Sequence, residues 1–472
     1  MRRLNDPAPR LPPGPDARVS ASATGPGGAP DGTSSGGPSP ATRIGLAGFA
    51  ATAIACGPAR MGFGLFVPDF RAEFGLGAGA IGTIGSVAFA GALAGLLVVG
   101  ALTRRHGAMV PVLLGCASAA VGLALVGLSG GVATLTVGLA LAAVSSGLCW
   151  VPYNRAVERA VRPERRARTL SIVSTGTTFG IVAAGALALG AAMASVSWRP
   201  VWLAFAVAAL AIGVLNALSL PRPPPGDRSR DPGTGTRDAG GGAHALPLGA
   251  KLRRLATRRS LPLHVAAFSF GLLYAVFLSF GVDRVVDATP PGGALAAHAG
   301  PWIFVAFGLA GTIGLATDTL ARRLGAERLT ALSFAAVGIG FVALAFVPER
   351  VPIALGAAAL FGAATMIVCA TLSFRALDAY PGMPALGFNA VIGTLTLGSV
   401  AGPIVAGAAL ELAGPVVAFG GCALLSAILA VALAVGGRTT SPDGTDRALA
   451  RSCAPDSPSP SPSPSRSPAP RE

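Results

Sequence analysis

Long apolar segments, each about the length of a membrane-spanning helix, follow one another through most of the chain. They lie at about 44–67, 79–101, 109–129, 133–156, 169–194 and 200–220, and then at about 262–281, 299–318, 328–347, 353–375, 384–408 and 414–436. Because a helix of about 20 apolar residues crosses the hydrocarbon core of a bilayer, this pattern predicts twelve transmembrane helices. We therefore expect an all-α membrane protein whose spans form two sets of six.

Polar stretches of low complexity separate and flank these two sets. We predict a disordered cytoplasmic extension at 1–43, a six-helix bundle at 44–220, a cytoplasmic linker at 221–260, a second bundle at 261–436 and a disordered cytoplasmic tail at 437–472. The ends are rich in Pro, Gly and Ser, a composition that cannot build a packed core. Only 12% of the residues are charged and 52% are hydrophobic, whereas soluble domains carry about 25% charged residues.

The basic residues are concentrated in every second loop. If the N-terminus is inside, the inner loops and the linker hold most of the arginines, and the outer loops hold only Arg71, Arg199, Arg284 and Arg350. This asymmetry predicts that both termini are cytoplasmic and that the protein spans the cell membrane many times. It also accounts for the net charge of +15 without a nucleic-acid partner.

The two halves of the chain resemble each other. LTRRHG at 102–107 recurs as LARRLG at 320–325, and VAF at 87–89 recurs as VAF at 305–307. A third match is the spacing of Gly176, Gly180 and Gly185, which is the same as that of Gly398, Gly402 and Gly407. A duplicated six-helix unit is typical of transporters whose binding site lies between the halves.

The repeated loop also resembles a known motif. Gly100, Arg105 and Gly107 occupy positions of the GxxxDRxGRR loop of the major facilitator superfamily, with Arg104 in place of its aspartate. The second half keeps Gly314 and Asp318 at the GxxxD spacing, followed by Arg322 and Arg323. The resemblance covers about 44–436 and implies the twelve-helix fold of that family, with alternating access by rocking of two bundles.

Two further patterns refine this resemblance. Arg60, Phe63 and Pro68 are similar to the GRFxxxxxxP pattern of the YbfB/YjiJ-like bacterial branch of the family. Gly402 and Pro403 belong to a stretch that resembles the GxxxGPxxxG pattern of its antiporters, although the first half lacks the proline. We predict helix packing as the main role of the two glycine sets, because glycines let helices approach closely.

Arg60 is the most informative single residue, because it lies inside the first apolar span. A charge at that depth is costly unless it faces a protein interior or a water-filled cavity. We therefore predict that Arg60 lines a central cavity and binds an anionic or carboxylate-bearing solute. The alternative is that its long side chain reaches the interface near Asp69.

Other candidate residues are less specific. Polar and aromatic residues on the central helices are predicted to line the cavity, although each can equally serve helix packing; they are Trp150, Tyr153, Asn154, Thr175, Thr178, Tyr274 and Asn389. At the cytoplasmic ends, the arginines and glycines of the repeated loop are gating candidates together with Glu158 and Asp378. We expect the pairs Arg105–Glu158 and Arg323–Asp378 to close the inner side, or else to be interfacial charges that fix topology.

The sequence contains no HExxH or P-loop motif and no cysteine or histidine pair with metal-ligand spacing. We therefore predict no enzyme activity, metal or cofactor, and leave proton or ion coupling open. The leading function is secondary transport of a small organic solute by a monomer in the lipid bilayer. Efflux of lipophilic drugs is the alternative, although Leu141 stands where drug/proton antiporters tend to carry an arginine; a non-transporting sensor or scaffold is less favoured.

Overall fold

The structure is a computed structural model that describes residues 39–221, 260–290, 298–380 and 383–436. Most of the predicted extension, linker and tail lies outside these residues, as does the basic run at 251–259. Throughout the described ranges the regular structure is helical, and these ranges contain no β-strand.

The helices follow the predicted order. Span 1 consists of α1 (Pro40–Cys56) and α2 (Pro58–Leu65), and α3 (Val67–Phe74) follows it. Spans 2 to 7 are Ala78–His106, Met109–Gly127, Val132–Ala160, Pro163–Met193, Trp198–Ser219 and Leu261–Ala288. Spans 8 to 10 are Ala299–Leu324, Ala326–Phe346 and Val351–Ala379. The last helical segment, Pro384–Gly436, holds spans 11 and 12.

Gly414 separates spans 11 and 12. Its φ of 77° and ψ of 173° are not helical, and glycine tolerates a positive φ at little cost. Eleven apolar segments are long enough to cross a membrane, and the eleventh, Leu386–Val435, has 50 residues. Because this segment is divided at Gly414, the described chain has twelve spans, and the predicted fold class is confirmed.

Several boundaries differ from those read from hydropathy. Span 5 begins at Pro163 rather than near residue 169, and span 10 continues to Ala379. Helical hydrogen bonding continues into the polar interface, where long arginine side chains reach water while their stems stay apolar. Span 8 is interrupted by a 3-10 helix over Thr312–Ala316, which the apolar pattern does not signal.

The two glycine sets hold equivalent positions in the two halves. A Cβ on Gly180 would lie 2.1 Å from the carbonyl oxygen of Ala53, and one on Gly402 would lie 2.5 Å from that of Leu272. Span 5 thus touches span 1 as span 11 touches span 7. The remaining members of the sets also sit where a side chain would meet a neighbouring helix, namely Gly176, Gly185, Gly398 and Gly407.

We name the two ends of the bundle by residues. Odd-numbered spans begin at the Pro40 end and finish at the Arg71 end, and even-numbered spans run the other way. The repeated loops lie at the Pro40 end, where Gly107 and Gly325 terminate spans 2 and 8 with φ values of 75° and 83°. A glycine at the equivalent position thus ends the second span of each half.

Candidate functional site

Span 1 is broken at Gly57, about two-thirds of the way along Pro40–Leu65. Pro58 has no N–H to donate to the carbonyl of Ile54, and the preceding Gly57 has a non-helical ψ of −97°. A Cβ on Gly57 would lie 2.4 Å from the carbonyl oxygen of Gly180, so glycine permits span 5 to pass directly against the break. Broken helices at mid-membrane occur in transporters at the substrate site, where the irregular backbone lines a cavity.

Aromatic side chains fix the piece of span 1 that follows the break. The ring of Trp202 lies 5.5 Å from that of Phe66, and the ring of Trp198 lies 5.0 Å from that of Phe70. Trp202 also comes within 3.2 Å of the position of a Cβ on Gly62. Span 6 therefore packs against α2 and α3 and fixes the position of the helix that carries Arg60.

Arg60 is the third residue of α2 and lies beside a pair of aromatic rings. Its Cζ is 5.8 Å from the ring centroid of Phe89 on span 2 and 5.8 Å from that of Tyr274 on span 7. The two rings meet edge to face with centroids 6.3 Å apart. A guanidinium within about 6 Å of a ring face is attracted by the ring quadrupole. The two halves of the protein therefore each supply one ring to the same cation.

No carboxylate neutralises Arg60 among the described residues. Its Nε is buried without a hydrogen-bond partner, although the residue as a whole is partly exposed. A buried donor without a partner costs about 1–3 kcal/mol, and more when it is charged. The guanidinium is therefore a donor available to a bound group. Its aromatic neighbours differ from the alternative contact with Asp69, and the cavity position of Arg60 stays a prediction.

The remaining predicted cavity residues fall into two groups. Trp150 stacks on Phe388 at the start of span 11, with centroids 5.9 Å apart, and so joins the halves toward the Pro40 end. Asn154 is partly exposed one turn further along span 4, and Asn389 is exposed beside Phe388. Their role in lining a cavity stays a prediction.

Tyr153 lies elsewhere. Its hydroxyl donates to the side-chain oxygen of Asn216 at 2.5 Å, and the amide of Asn216 donates to the carbonyl of Ala47 at 3.1 Å. Tyr153 is buried inside the first half, so the structure separates it from the candidate site. Its polarity serves contacts between spans 1, 4 and 6, as expected for hydroxyls buried between membrane helices.

The two threonines of span 5 differ in their surroundings. Thr175 donates to the carbonyl of Ile172 at 2.8 Å, an interaction within its own helix. Thr178 is buried, and its Cγ2 lies 3.5 Å from the position of a Cβ on Gly311. Thr178 therefore packs at the contact of spans 5 and 8, between the halves.

The two predicted gating ion pairs are absent from the described conformation. Arg375 pairs instead with Glu327 at 3.3 Å, and Arg322 pairs with Asp318 one turn away. Arg166 donates to the backbone carbonyl of Glu158 at 2.6 Å, which leaves the carboxylate of that residue exposed. Exposed charges gain little from pairing because water solvates and screens them.

The structure also identifies residues that the sequence did not single out. Phe89 belongs to the repeated VAF stretch. The repeat indicates a duplication, but it does not predict which neighbouring helix the Phe89 ring faces. His264 is a second such residue. Its Nδ1 lies 2.9 Å from the Thr394 hydroxyl, and its Nε2 lies 2.8 Å from that of Tyr380. The Thr394 hydroxyl donates to Ala390, so His264 Nδ1 donates to Thr394 and Nε2 accepts from Tyr380.

The twelve spans form two equivalent halves. A broken span and an unpaired arginine lie where the halves meet. These features are typical of a multi-pass membrane protein of the transporter class. The Major Facilitator Superfamily model matches residues 49–385, and the chain belongs to this superfamily. Its members are transporters that sit in a lipid bilayer and bind small-molecule substrates. The resemblance to the YbfB/YjiJ-like branch stays a prediction.

Three individual proteins illustrate the relationship. The chain is 30% identical over 359 residues to a chloramphenicol resistance protein of Streptomyces lividans, covering 73% of this chain and 83% of that protein. The crystal structure of the nucleoside transporter NupG matches with a TM-score of 0.66 and 14% identity, covering 84% and 98% of the two chains. A bacterial homologue of the human lysosomal transporter Spinster, inward-facing and occupied, matches with a TM-score of 0.60 and 15% identity, covering 84% and 96%. The last two similarities show the fold alone.

Proposed function

We propose that the protein is a secondary active transporter that moves a small organic anion across the cell membrane by alternating access. The observation that carries this proposal is the Arg60 guanidinium, which lies beside the rings of Phe89 and Tyr274 with a buried Nε that has no partner. A carboxylate can accept two parallel hydrogen bonds from a guanidinium. The two adjacent rings suit a solute that carries its anionic group on an aromatic or apolar body.

The position of Arg60 suits a binding site that opens alternately to the two sides of the membrane. Phe89 belongs to the first half and Tyr274 to the second, so a solute bound at Arg60 contacts both halves. Rocking of the halves then changes which end of the bundle leads to Arg60, without moving the solute far along the membrane normal. The broken span 1 supports this role, since discontinuous helices commonly form the central site of transporters.

The charge distribution supports a cytoplasmic Pro40 end. Thirteen of the described arginines lie at this end of the spans and their connecting loops, namely Arg43, Arg104, Arg105, Arg155, Arg159, Arg162, Arg165, Arg166, Arg168, Arg322, Arg323, Arg328 and Arg375, whereas Arg71, Arg199, Arg284 and Arg350 lie at the other. Basic residues remain on the cytoplasmic side of a membrane. Both termini are then cytoplasmic and the Arg71 end faces outward.

The partners follow from the same features. The exposed apolar side chains of the bundle contact lipid, and we expect a monomer without a cofactor. Within the described ranges no three His, Cys, Asp or Glu residues are grouped so that they could hold a metal ion. A proton or ion gradient is the expected energy source, because the chain offers no nucleotide-binding motif.

Efflux of a neutral lipophilic compound is the second candidate. The observation that favours it is the 30% identity to the chloramphenicol resistance protein. The aromatic and apolar surroundings of Arg60 suit such a compound as well. In this case the arginine contributes a hydrogen bond to a neutral acceptor, and replacement of its charge has a smaller effect on binding.

Ligand-dependent thermal unfolding of the purified protein distinguishes the two candidates. Benzoate and salicylate serve as anionic aromatic probes, and chloramphenicol serves as the neutral one. A ligand that binds the folded state raises the apparent stability. Stabilisation by the carboxylates supports the anion proposal, and stabilisation by chloramphenicol alone favours the second candidate.

A further inference from the structure

The Arg71 end of the bundle is closed by direct contact of backbones from the two halves. A Cβ on Gly64 of α2 would lie 1.6 Å from the carbonyl oxygen of Leu278 on span 7. A Cβ on Gly82 of span 2 would lie 2.3 Å from the carbonyl oxygen of Pro403 on span 11. No side chain fits at these two crossings, so access to Arg60 from this end is closed.

An ion pair joins the halves at this end. Arg71 on α3 donates from Nη1 to Oδ2 of Asp283 on span 7 at 2.9 Å. The side chain of Asp283 is only 11% exposed, whereas that of Arg71 is 37% exposed. The Nε of Arg71 also donates to the carbonyl of Leu76 at 3.3 Å, which fixes the direction of the guanidinium.

A second polar contact joins the halves nearby. The carboxylate of Glu411 on span 11 accepts the backbone N–H of Gly79 at 2.7 Å. Gly79 lies in the first turn of span 2, where backbone N–H groups have no partner within the helix. A Cβ on Gly79 would lie 2.9 Å from both carboxylate oxygens, so glycine lets the carboxylate approach this N–H without displacement.

We infer that these two contacts act as a lock that holds the outward end closed. Both acceptors are carboxylates of the second half, and both donors belong to the first half, so any rocking motion that opens this end must break both. The other charged contacts at this end do not join the halves: Arg199 pairs with Glu73, and Arg284 donates to Leu344. The inference rests on the proposed alternating access but not on the identity of the solute.

The closed end also contains a group that opposes closure. Ser279 is 1% exposed, and its hydroxyl has no hydrogen-bond partner. It lies 2.8 Å from the position of a Cβ on Gly85, so it points from span 7 toward span 2 across the contact. Most buried hydroxyls in membrane helices bond back to a carbonyl of their own helix. Opening of this end would let water reach Ser279, which favours the open state.

The lock can be tested without a solute. Spin labels on Gly130→Cys and Glu349→Cys, in a full-length chain freed of its other cysteines and placed in lipid nanodiscs, report the separation of the halves at this end. Both positions are exposed and lie on loops of opposite halves. Asp283→Asn should raise the ratio of open to closed molecules about fivefold, the upper effect of a half-exposed ion pair. The double variant Asp283→Asn/Glu411→Gln should raise it further.

Three variants complete the test. Asp287→Asn is the matched charge control, since Asp287 is exposed one turn further along span 7. Its charge repels that of Asp283, so its removal should leave the closed state at least as populated as in the parent. The exchange Arg71→Asp/Asp283→Arg should restore closure. Ser279→Ala should shift the ratio about fivefold toward the closed state, because it removes a buried hydroxyl without a partner.

Hydrogen exchange of the chain with all its cysteines provides an independent readout. The amide of Gly79 should exchange faster in the double variant than in the parent and in Asp287→Asn. A double variant whose distances and exchange match those of the control overturns the lock. Because neither readout needs a solute, the lock can fail while the Arg60 site stands, and the reverse also holds.

Discussion

Replacement of Arg60 by alanine tests the substrate site most sharply. The change removes the charge beside Phe89 and Tyr274 and leaves both rings in place. Loss of a buried charged contact to a ligand costs about 2–5 kcal/mol. At about 1.4 kcal/mol for each factor of ten, the dissociation constant of an anionic ligand should rise roughly 30-fold to 3,000-fold.

The stability of the protein without ligand should change little. The variant loses two cation–π contacts of about 0.5–2 kcal/mol each. It also loses a charge whose burial inside the membrane costs free energy, and this loss stabilises the folded protein. The variant is therefore expected to insert and fold, so that an altered response to ligand can be assigned to the site.

Thermal unfolding with and without benzoate or salicylate is the assay. At a ligand concentration of 100 times the dissociation constant, the wild-type protein gains about 2.7 kcal/mol of stability. A 30-fold weaker variant gains about 0.9 kcal/mol at the same concentration, and a weaker one gains almost nothing. Arg60→Lys keeps the charge but loses the planar pair of donors, so it should recover part of the response.

Arg350→Ala is the matched control, because Arg350 is exposed in the loop before span 10. It should respond to ligand as the wild type does. An Arg60→Ala protein that is stabilised by the carboxylates as strongly as the wild type would refute the reasoning. The export of neutral compounds would then be the better explanation of the site.

Three other predictions address the fold and its orientation. Gly180→Leu should prevent stable folding, because its Cβ would lie 2.1 Å from a backbone oxygen, whereas Gly420→Leu should be tolerated because the space around Gly420 is open. Expression and monodispersity in detergent are measured for both variants, and equal values for the two variants would contradict the packing argument. Tags at both termini should report cytoplasm and a tag at Thr289 the outside, according to the arginine distribution; an outside C-terminus would require an odd number of spans. Charge reversal at Glu158 or Asp378 should increase cysteine labelling at the Pro40 end if these residues act in gating, and unchanged labelling would leave them only a role in topology.

The number and order of the spans could be predicted because they depend on apolar length alone. The duplication could be read from the loops at 102–107 and 320–325 and from the glycine spacing. The break in span 1 was harder to predict, since Gly57 and Pro58 lie in an apolar run whose hydropathy stays high. A proline inside a membrane helix signals a lost hydrogen bond but not what faces the gap.

The site was predicted in part. Arg60 stood out because a charge inside a span needs a special environment. The direction of each neighbouring side chain could not be read, because an Ala- and Gly-rich helix has apolar residues on all its faces. Tyr153 therefore appeared equivalent to Tyr274, although it bonds to Asn216 inside the first half. Phe89 was missed for the same reason.

The inter-half contacts lay beyond the sequence pattern altogether. Arg71 and Asp283 are 212 residues apart, and Gly79 and Glu411 are 332 apart. Each of these residues looks like an ordinary interfacial residue at the end of a span. Only the packing of the two halves brings them together, and the glycines at the crossings decide how closely the halves approach.

Transport by the reconstituted protein tests the central claim most directly. Wild-type and Arg60→Ala proteins are placed in proteoliposomes, and entry of labelled benzoate and labelled chloramphenicol is followed against an outward gradient of the same unlabelled compound. The account predicts that the wild type exchanges benzoate and that Arg60→Ala exchanges it at least about 30-fold more slowly at concentrations below saturation. Equal exchange of benzoate by the two proteins, or exchange of chloramphenicol alone, would contradict it.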